Sequence, residues 1–410
     1  MQANDPIADA LRRLRARPHP WPESTYRLQF HAGFTFRDAA AVVPYLALLG
    51  VTHCYASPYL RARPGSTHGY DVIDHCSLNP ELGTEADYRA WVDAMARHGM
   101  SHVLDTVPNH VGVATNDNAW WNDVLEHGPA SRHAKFFDIA WRGSPRPELH
   151  DKVLIPTLGG HYGEVLEKGE LKVVHQDGKF WVTYYDRRFP LSPESVANLN
   201  AGELASLNGT PGDPRSFDRL DALLEAQHYR LAYWRTASDE INYRRFFDIN
   251  DLAALGMEHE EVFEATHGFT LGLVAEGTIA GLRVDHPDGL YDPEAYFRRL
   301  QEQAVLEMLP PDQRPRLKGA VREALADEGR AAGGDADGGS GGGWPLYVAA
   351  EKILAPDEPL PAEWAVHGTS GYDFLNEVNG LFVDAANEAA FTTLYHDWTG
   401  DGTSFEDLVY

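Results

Sequence analysis

Cysteine is nearly absent from this sequence: Cys54 and Cys76 are the only two, with no CxxC spacing and no regular histidines around them. That excludes a disulfide framework and gives no sign of a zinc site, and it predicts free thiols in a reducing compartment. Basic residues are also scarce, with 35 Lys and Arg against 61 Asp and Glu and a formal charge of -26. Nucleic acid and anionic membranes both need a basic surface, so neither is an expected partner, and a neutral or cationic one is. No apolar run approaches the ~20 residues of a membrane span. The arginines Arg12, Arg13, Arg15 and Arg17 are followed by no such run either, so a short solvated helix and a cytoplasmic location are expected. No calcium-loop pattern occurs, and no metal or cofactor is expected.

What is present suits one large α/β domain. The 410 residues are 43% hydrophobic, with 10 Trp and 18 Tyr to fill a core or to offer flat surfaces to a sugar. Thr25 to Phe30 is rich in β-formers, and Asp38 to Leu49 places Val42, Val43, Leu46 and Leu49 at helical spacing before Gly50. Val51 to Ala56 reads as a second strand. Thr84 and Asp87 make a capping-box start for a helix with Tyr88, Trp91, Val92 and Met95 on one face, and His102 to Val107 is a third strand. Strand and helix in alternation predict parallel βαβ units, as in a TIM-type (β/α)8 barrel.

From 112 to 240 the alternation gives way to long loops rich in Trp, Gly and Pro, including Leu154 to Gly160, so this stretch is expected to be an inserted lid or substrate domain between barrel parts 1–111 and 241–410. The barrel pattern resumes with a helix over Val262 to Ala275, a strand over Gly281 to Val284, a helix over Glu294 to Leu306 and a strand over Tyr347 to Ala350. Between the last two, 327–344, with its run Gly333 to Gly343, is expected to be a flexible loop. Five strands and part of a sixth fit before Tyr410, so the expectation is a barrel that stops before it closes.

In parallel barrels functional groups sit past the C-terminal ends of strands. Three polar clusters fall there: Asp105 with Asn109 and His110, Arg283 with Asp285 and His286, and Glu351 with Lys352. Each alone could be a loop cap or an ion pair. Together they place two carboxyls, Asp285 and Glu351, at the ends of neighbouring strands, which is what glycoside chemistry with retained configuration requires. Arg283 lies on the same face as Asp285 and could hold it ionised, making Asp285 the expected nucleophile. Glu351 would then be the acid/base, with its pKa raised above that of Asp285.

These clusters resemble the first three motifs of the α-amylase superfamily. Thr25 to Phe30, Ser66 to Val72, Ile241 to Phe247, Asp285 to Leu290 and Gly368 to Asp373 are similar, more narrowly, to the maltooligosyltrehalose synthases. That resemblance implies a glucosylmutase: Asp285 as nucleophile, Glu351 as acid/base, and His68, Tyr70, Asp71, Asn109, His110, Arg283 and His286 lining the sugar site. Tyr70 would stack on the donor glucose, and His110 would bond a sugar hydroxyl or be satisfied internally. His53 and His75 are read as structural. The implied reaction moves the reducing-end α-1,4 linkage of a maltooligosaccharide to an α,α-1,1 linkage, with a maltooligosyltrehalose trehalohydrolase as functional partner. An α-glucan hydrolase with the same residues, or a non-catalytic glucan-binding fragment, stays open beside it.

The sequence departs from the family pattern twice. No His-Asp pair at a strand end follows Glu351, since His396-Asp397 reads as loop-like, so the third acid is expected beyond Tyr410. Gly256 stands where a larger polar or basic side chain is expected.

Overall fold

Alternate side chains of a pleated strand point to opposite sides, so strand register decides which residues can meet. The computed structural model describes residues 5–16, 21–332 and 343–409. Its central element is one parallel sheet whose order follows the chain: β1 (Thr25–Leu28), β2 (His53–Ala56), β3 (Ser101–Thr106), β4 (Gly281–Val284) and β5 (Tyr347–Ala350). Arg27 lies opposite Tyr55, Tyr55 opposite Val103, and Asp105 opposite Arg283. By period 2, Arg27, Tyr55, Asp105 and Arg283 therefore share one face. The other face carries Cys54, Leu104, Leu282, Val284, Val348 and Ala350, all fully buried. On the first face Arg27 and Tyr55 are half-buried and Asp105 and Arg283 are buried.

Helices connect the strands: α2 (Phe36–Leu48) and α3 (Glu85–Arg97) on either side of β2, α4 (Glu260–Ala275) before β4, and α5 (Pro293–Glu307) and α6 (Arg314–Ala332) between β4 and β5. The capping box at Thr84 and Asp87 forms as expected. Asp87 also accepts from Arg37 Nε at 2.6 Å, which ties α3 to α2. Beneath these helices Phe30, Phe36, Tyr59, Tyr88 and Trp91 make a buried aromatic cluster, with Trp91 stacked on Phe36 at 6.0 Å. The first strand stops at Leu28 rather than Phe30, and α2 starts at Phe36 because Thr35 and Asp38 form a capping box there.

Several expectations need correction. The first helix, α1 (Pro6–Arg15), is solvated on one side only: Ile7, Ala10, Leu11 and Leu14 are buried, and the helix packs near α5, while Arg17 lies outside the described residues. Leu154 to Leu158 is not loop but part of the strand Val153–Leu158, whose Val153, Leu154 and Ile155 are buried and which pairs in parallel with Tyr229–Tyr233. Residues 327–332 are not loop either, because α6 runs through them; the rest of the expected loop, 333–342, lies outside the described residues. His396-Asp397 sits in the helix Glu388–Thr399, which ends at the left-handed Gly400.

After β3 the chain forms the short strand His110–Gly112, which pairs antiparallel with Ile249–Ala254. The excursion between them therefore leaves and rejoins at one place. It contains a three-stranded antiparallel sheet of Leu171–Gln176, Lys179–Tyr184 and Arg187–Pro190. Past β5, the helices Tyr372–Gly380 and Glu388–Thr399 bury none of their residues.

Trp91→Ala is expected to remove about 3–5 kcal/mol of stability, as for other large buried aromatics. Urea unfolding measures this, and a loss below about 1 kcal/mol would mean that the cluster closes over the cavity.

Candidate active site

Past the C-terminal ends of β4 and β5 the register continues by one residue. The Asp285 N–H donates to the Thr106 carbonyl and the Glu351 N–H to the Val284 carbonyl, each at 2.9 Å, so the two acids stand side by side on neighbouring strands. Arg283, one pleat below Asp285, joins them. Its Nη1 donates to Asp285 Oδ1 at 2.7 Å and to Asp105 Oδ1 at 2.6 Å, and its Nη2 lies 3.1 Å from Glu351 Oε1. One buried guanidinium thus serves three carboxylates, while its Nε has no hydrogen-bond partner among the described residues.

Asp105 has no exposed side-chain surface and is fully engaged. Besides Arg283, its carboxylate accepts from Tyr70 OH at 2.6 Å, Tyr55 OH at 2.8 Å and Arg27 Nη1 at 3.2 Å. Arg27 Nη2 also donates to Tyr70 OH at 2.9 Å, and its guanidinium lies 4.5 Å over the Tyr55 ring. Burial first, then the Asp105 charge, raises the phenol pKa of Tyr55 and of Tyr70, so both stay protonated and donate. Sequence reading gave Arg27 and Tyr55 no role. The available signal was a charged residue inside a four-residue strand, which must find a polar partner.

Burial lowers the pKa of Arg283, but the charges of Asp105, Tyr55, Asp285 and Glu351 outweigh it and the net shift is upward. For Asp285, burial dominates in the other sense: it raises the carboxyl to about 7, with Asp105 and Glu351 adding to the rise and Arg283 opposing it. Asp285 is expected from sequence to be the readily ionised member of the pair; burial instead raises its carboxyl, which is the more deeply enclosed of the two.

The remaining expected site residues divide. His286 adopts a left-handed backbone at φ 47°, its N–H donates to Glu351 Oε2 at 2.9 Å, and its ring lies 5.0 Å from Phe246 and 5.1 Å from Phe247. His68 is exposed, beside the Tyr70 ring at 6.0 Å, and its Nδ1 accepts from the Tyr70 N–H. Asp71 is engaged within its own loop by Ser66 Oγ at 2.5 Å and by Arg63 at 3.3 Å. Asn109 is buried and accepts from Arg244. His110 is also buried, and its Nε2–H donates to the Tyr70 carbonyl at 3.1 Å. Burial lowers its pKa to about 3, so the ring is neutral, and of the two readings of His110 the internally satisfied one fits. Lys352 bridges Asp288 and Glu358. At Gly256 there is little room for a side chain, since a Cβ would meet the His259 ring at 3.0 Å and the Lys135 carbonyl at 3.1 Å. Asp373 accepts from Thr369 at 2.6 Å, and Asp397 is exposed on its helix.

Residues 40–164 match the family model for the α-amylase catalytic domain. A relative from Mycobacterium tuberculosis that carries the name maltooligosyl trehalose synthase is 37% identical over 383 residues, covering 90% of this chain and 40% of its own length. A solved maltooligosyltrehalose synthase from Arthrobacter ramosus is 35% identical with a TM-score of 0.71, covering 95% of this chain and 42% of the other. A solved glycosyltrehalose synthase is 32% identical with a TM-score of 0.70, at 94% and 45% coverage. The chain spans about 40% of the length of the curated relative it matches.

A carboxyl held at about 7 keeps, in the folded chain, a proton that the unfolded chain, with the ordinary value of 3.8, has already released. Because the native state binds more protons across that window, the stability contributed by this group falls as pH rises from about 4 to about 7 and stays lost above it. Asp285→Asn removes the cost, so its melting temperature relative to wild type is expected to be higher at about pH 7.5 than at about pH 4.5. A difference independent of pH would mean that Asp285 ionises normally.

Proposed function

We propose that this chain, a relative of the maltooligosyltrehalose synthases, carries the nucleophile and the acid/base of a retaining glucosyl transfer that converts the reducing-end α-1,4 linkage of a maltooligosaccharide to an α,α-1,1 linkage. The observation that carries the reading is the single Arg283 guanidinium shared by Asp285 and Glu351 at neighbouring strand ends. Two carboxyls bound to one guanidinium at neighbouring strand ends suit double displacement, in which one attacks and the other moves the proton.

In the first step the Asp285 carboxylate attacks the anomeric carbon of the penultimate glucose. Glu351 gives its proton to the departing O4 of the terminal glucose, leaving a glycosyl ester on Asp285. The freed glucose then turns within the pocket and presents its anomeric hydroxyl. Glu351 takes that proton, the hydroxyl oxygen displaces Asp285, and the 1,1 bond forms with both centres α. Arg283 keeps Asp285 aimed and stabilises its charge as the ester breaks. Tyr70 offers a ring beside exposed His68 for the sugar to stack on. Water must be kept out between the two steps, or hydrolysis replaces transfer. We assign that exclusion to residues 112–240 as a lid over the reducing-end pocket. The product would pass, in the cytoplasm, to a maltooligosyltrehalose trehalohydrolase, and the scheme needs no metal or cofactor.

The test uses the protein as its native gene expresses it. Incubation with maltopentaose is expected to remove reducing ends, whereas a hydrolase would raise them and a binding protein would leave them unchanged. Asp285→Asn is expected to lower turnover by at least about a thousandfold while glucan binding persists, since the amide keeps the shape but cannot form the ester. Turnover within about tenfold of wild type would remove Asp285 from the nucleophile role. Since the ionised form attacks, the rate is also expected to fall as pH drops below about 7.

A further inference from the structure

The segment Ile241 to Phe247 takes no part in the reaction just described, yet one of its residues commits its guanidinium to the frame of the site. Arg244 Nη1 donates to Asn109 Oδ1 at 3.1 Å and to the Gly289 carbonyl at 2.7 Å. Its Nη2 donates to the Leu255 carbonyl at 3.0 Å and its Nε to Asp138 at 3.0 Å. Of these partners, the Gly289 carbonyl matters most. Gly289 closes the single turn Pro287–Gly289, its own N–H donating to the His286 carbonyl at 3.1 Å. The turn leaves His286 at φ 47°, a backbone region that a residue with a Cβ adopts only when its surroundings hold it there. From that position the His286 N–H reaches Glu351 Oε2.

The packing admits little slack. A Cβ on Gly289 would stand 2.4 Å from His286 Cδ2 and 2.5 Å from Asn109 Oδ1, so these three residues are already in contact. Phe246 and Phe247, next in sequence to Arg244 and Arg245, both lie against the His286 ring. We propose that Arg244 is a positioning residue for Glu351: by holding the Gly289 carbonyl and the Asn109 amide it fixes the left-handed His286, whose N–H sets the orientation of the Glu351 carboxyl. The inference rests on the reading of Glu351 as acid/base, but its structural part is separable. A lysine supplies one compact charge and cannot reproduce the planar fork that reaches Asn109, Gly289, Leu255 and Asp138 at once.

The test is hydrogen exchange of the His286 amide, followed by NMR in protein labelled with 15N only at its 19 histidines. In Arg244→Ala the His286 amide is expected to exchange about tenfold faster or more, with a smaller rise in Arg244→Lys, while the helical amide of His267 keeps its rate. If Arg244→Ala does not fold, Arg244→Lys carries the measurement. An unchanged His286 rate in a folded variant, or a rise matched by His267, would overturn the proposal, because Arg244 would then be inert or a general brace. Kinetics forms a second arm: kcat is expected to fall about tenfold with little change in KM. If exchange responds as expected but the wild-type protein removes no reducing ends, the positioning stands and the proposed reaction fails.

Discussion

Three carboxylates share one buried cation, and the rest of the site follows from how that shortage is managed. Arg283 cannot neutralise Asp105, Asp285 and Glu351 together, and water is largely excluded from them. Asp105 is settled by a second cation, Arg27, and by two phenols that burial keeps protonated. Glu351, the more exposed of the other two, takes the His286 amide. Among the described residues Asp285 has only the remaining share of Arg283, and burial makes its ionisation costly. A buried pair loses far more when one member is removed than it gains by existing, so each of these partners constrains the others.

The sheet makes the arrangement possible. Because the strands are parallel and their register is fixed, Arg27, Tyr55, Asp105 and Arg283 fall on one face without any loop having to carry them there. Their neighbours on each strand, such as Cys54, Leu104 and Leu282, hold the opposite face against the helices. A one-residue slip of β4 would exchange Arg283 for Leu282 and break both layers, so the core and the charge network specify the same register.

That division also explains what was legible in the sequence. Asp285 and Glu351 stand directly after short, mostly apolar strands, and a carboxylate there needs a partner or a task, so both could be found from local pattern. Arg27 is signalled only as a charge inside a strand that must find a partner; which partner it finds, and any role for Tyr55, depend on which strands are neighbours and in what register, which no local window contains. α6 went unseen because Arg314–Ala332 is charged along much of its length and runs into a glycine-rich stretch that reads as loop. The strand Val153–Leu158 was obscured by Pro156 and the following glycines, although its first three residues are as apolar as any in the core. His110 shows the limit of motif reading: its place beside Asn109 was evident, but its burial and its bond to the Tyr70 carbonyl come from a loop forty residues earlier.

The assignment of the raised pKa to Asp285 bears on how the proposed nucleophile works. A carboxylate engaged by many donors, as Asp105 is, is a poor nucleophile, since each hydrogen bond must be weakened before its oxygen can attack. Asp285 is held by a single guanidinium contact, and burial leaves it short of solvation. Its ionised form is therefore less stabilised and more reactive, and the chain bears the cost as lost stability near neutral pH. Asp105 lets this happen without loss of aim. By fixing Arg283 from below with a 2.6 Å contact, it holds the guanidinium in place whether or not Asp285 is charged, so the orientation of the attacking group does not depend on its protonation.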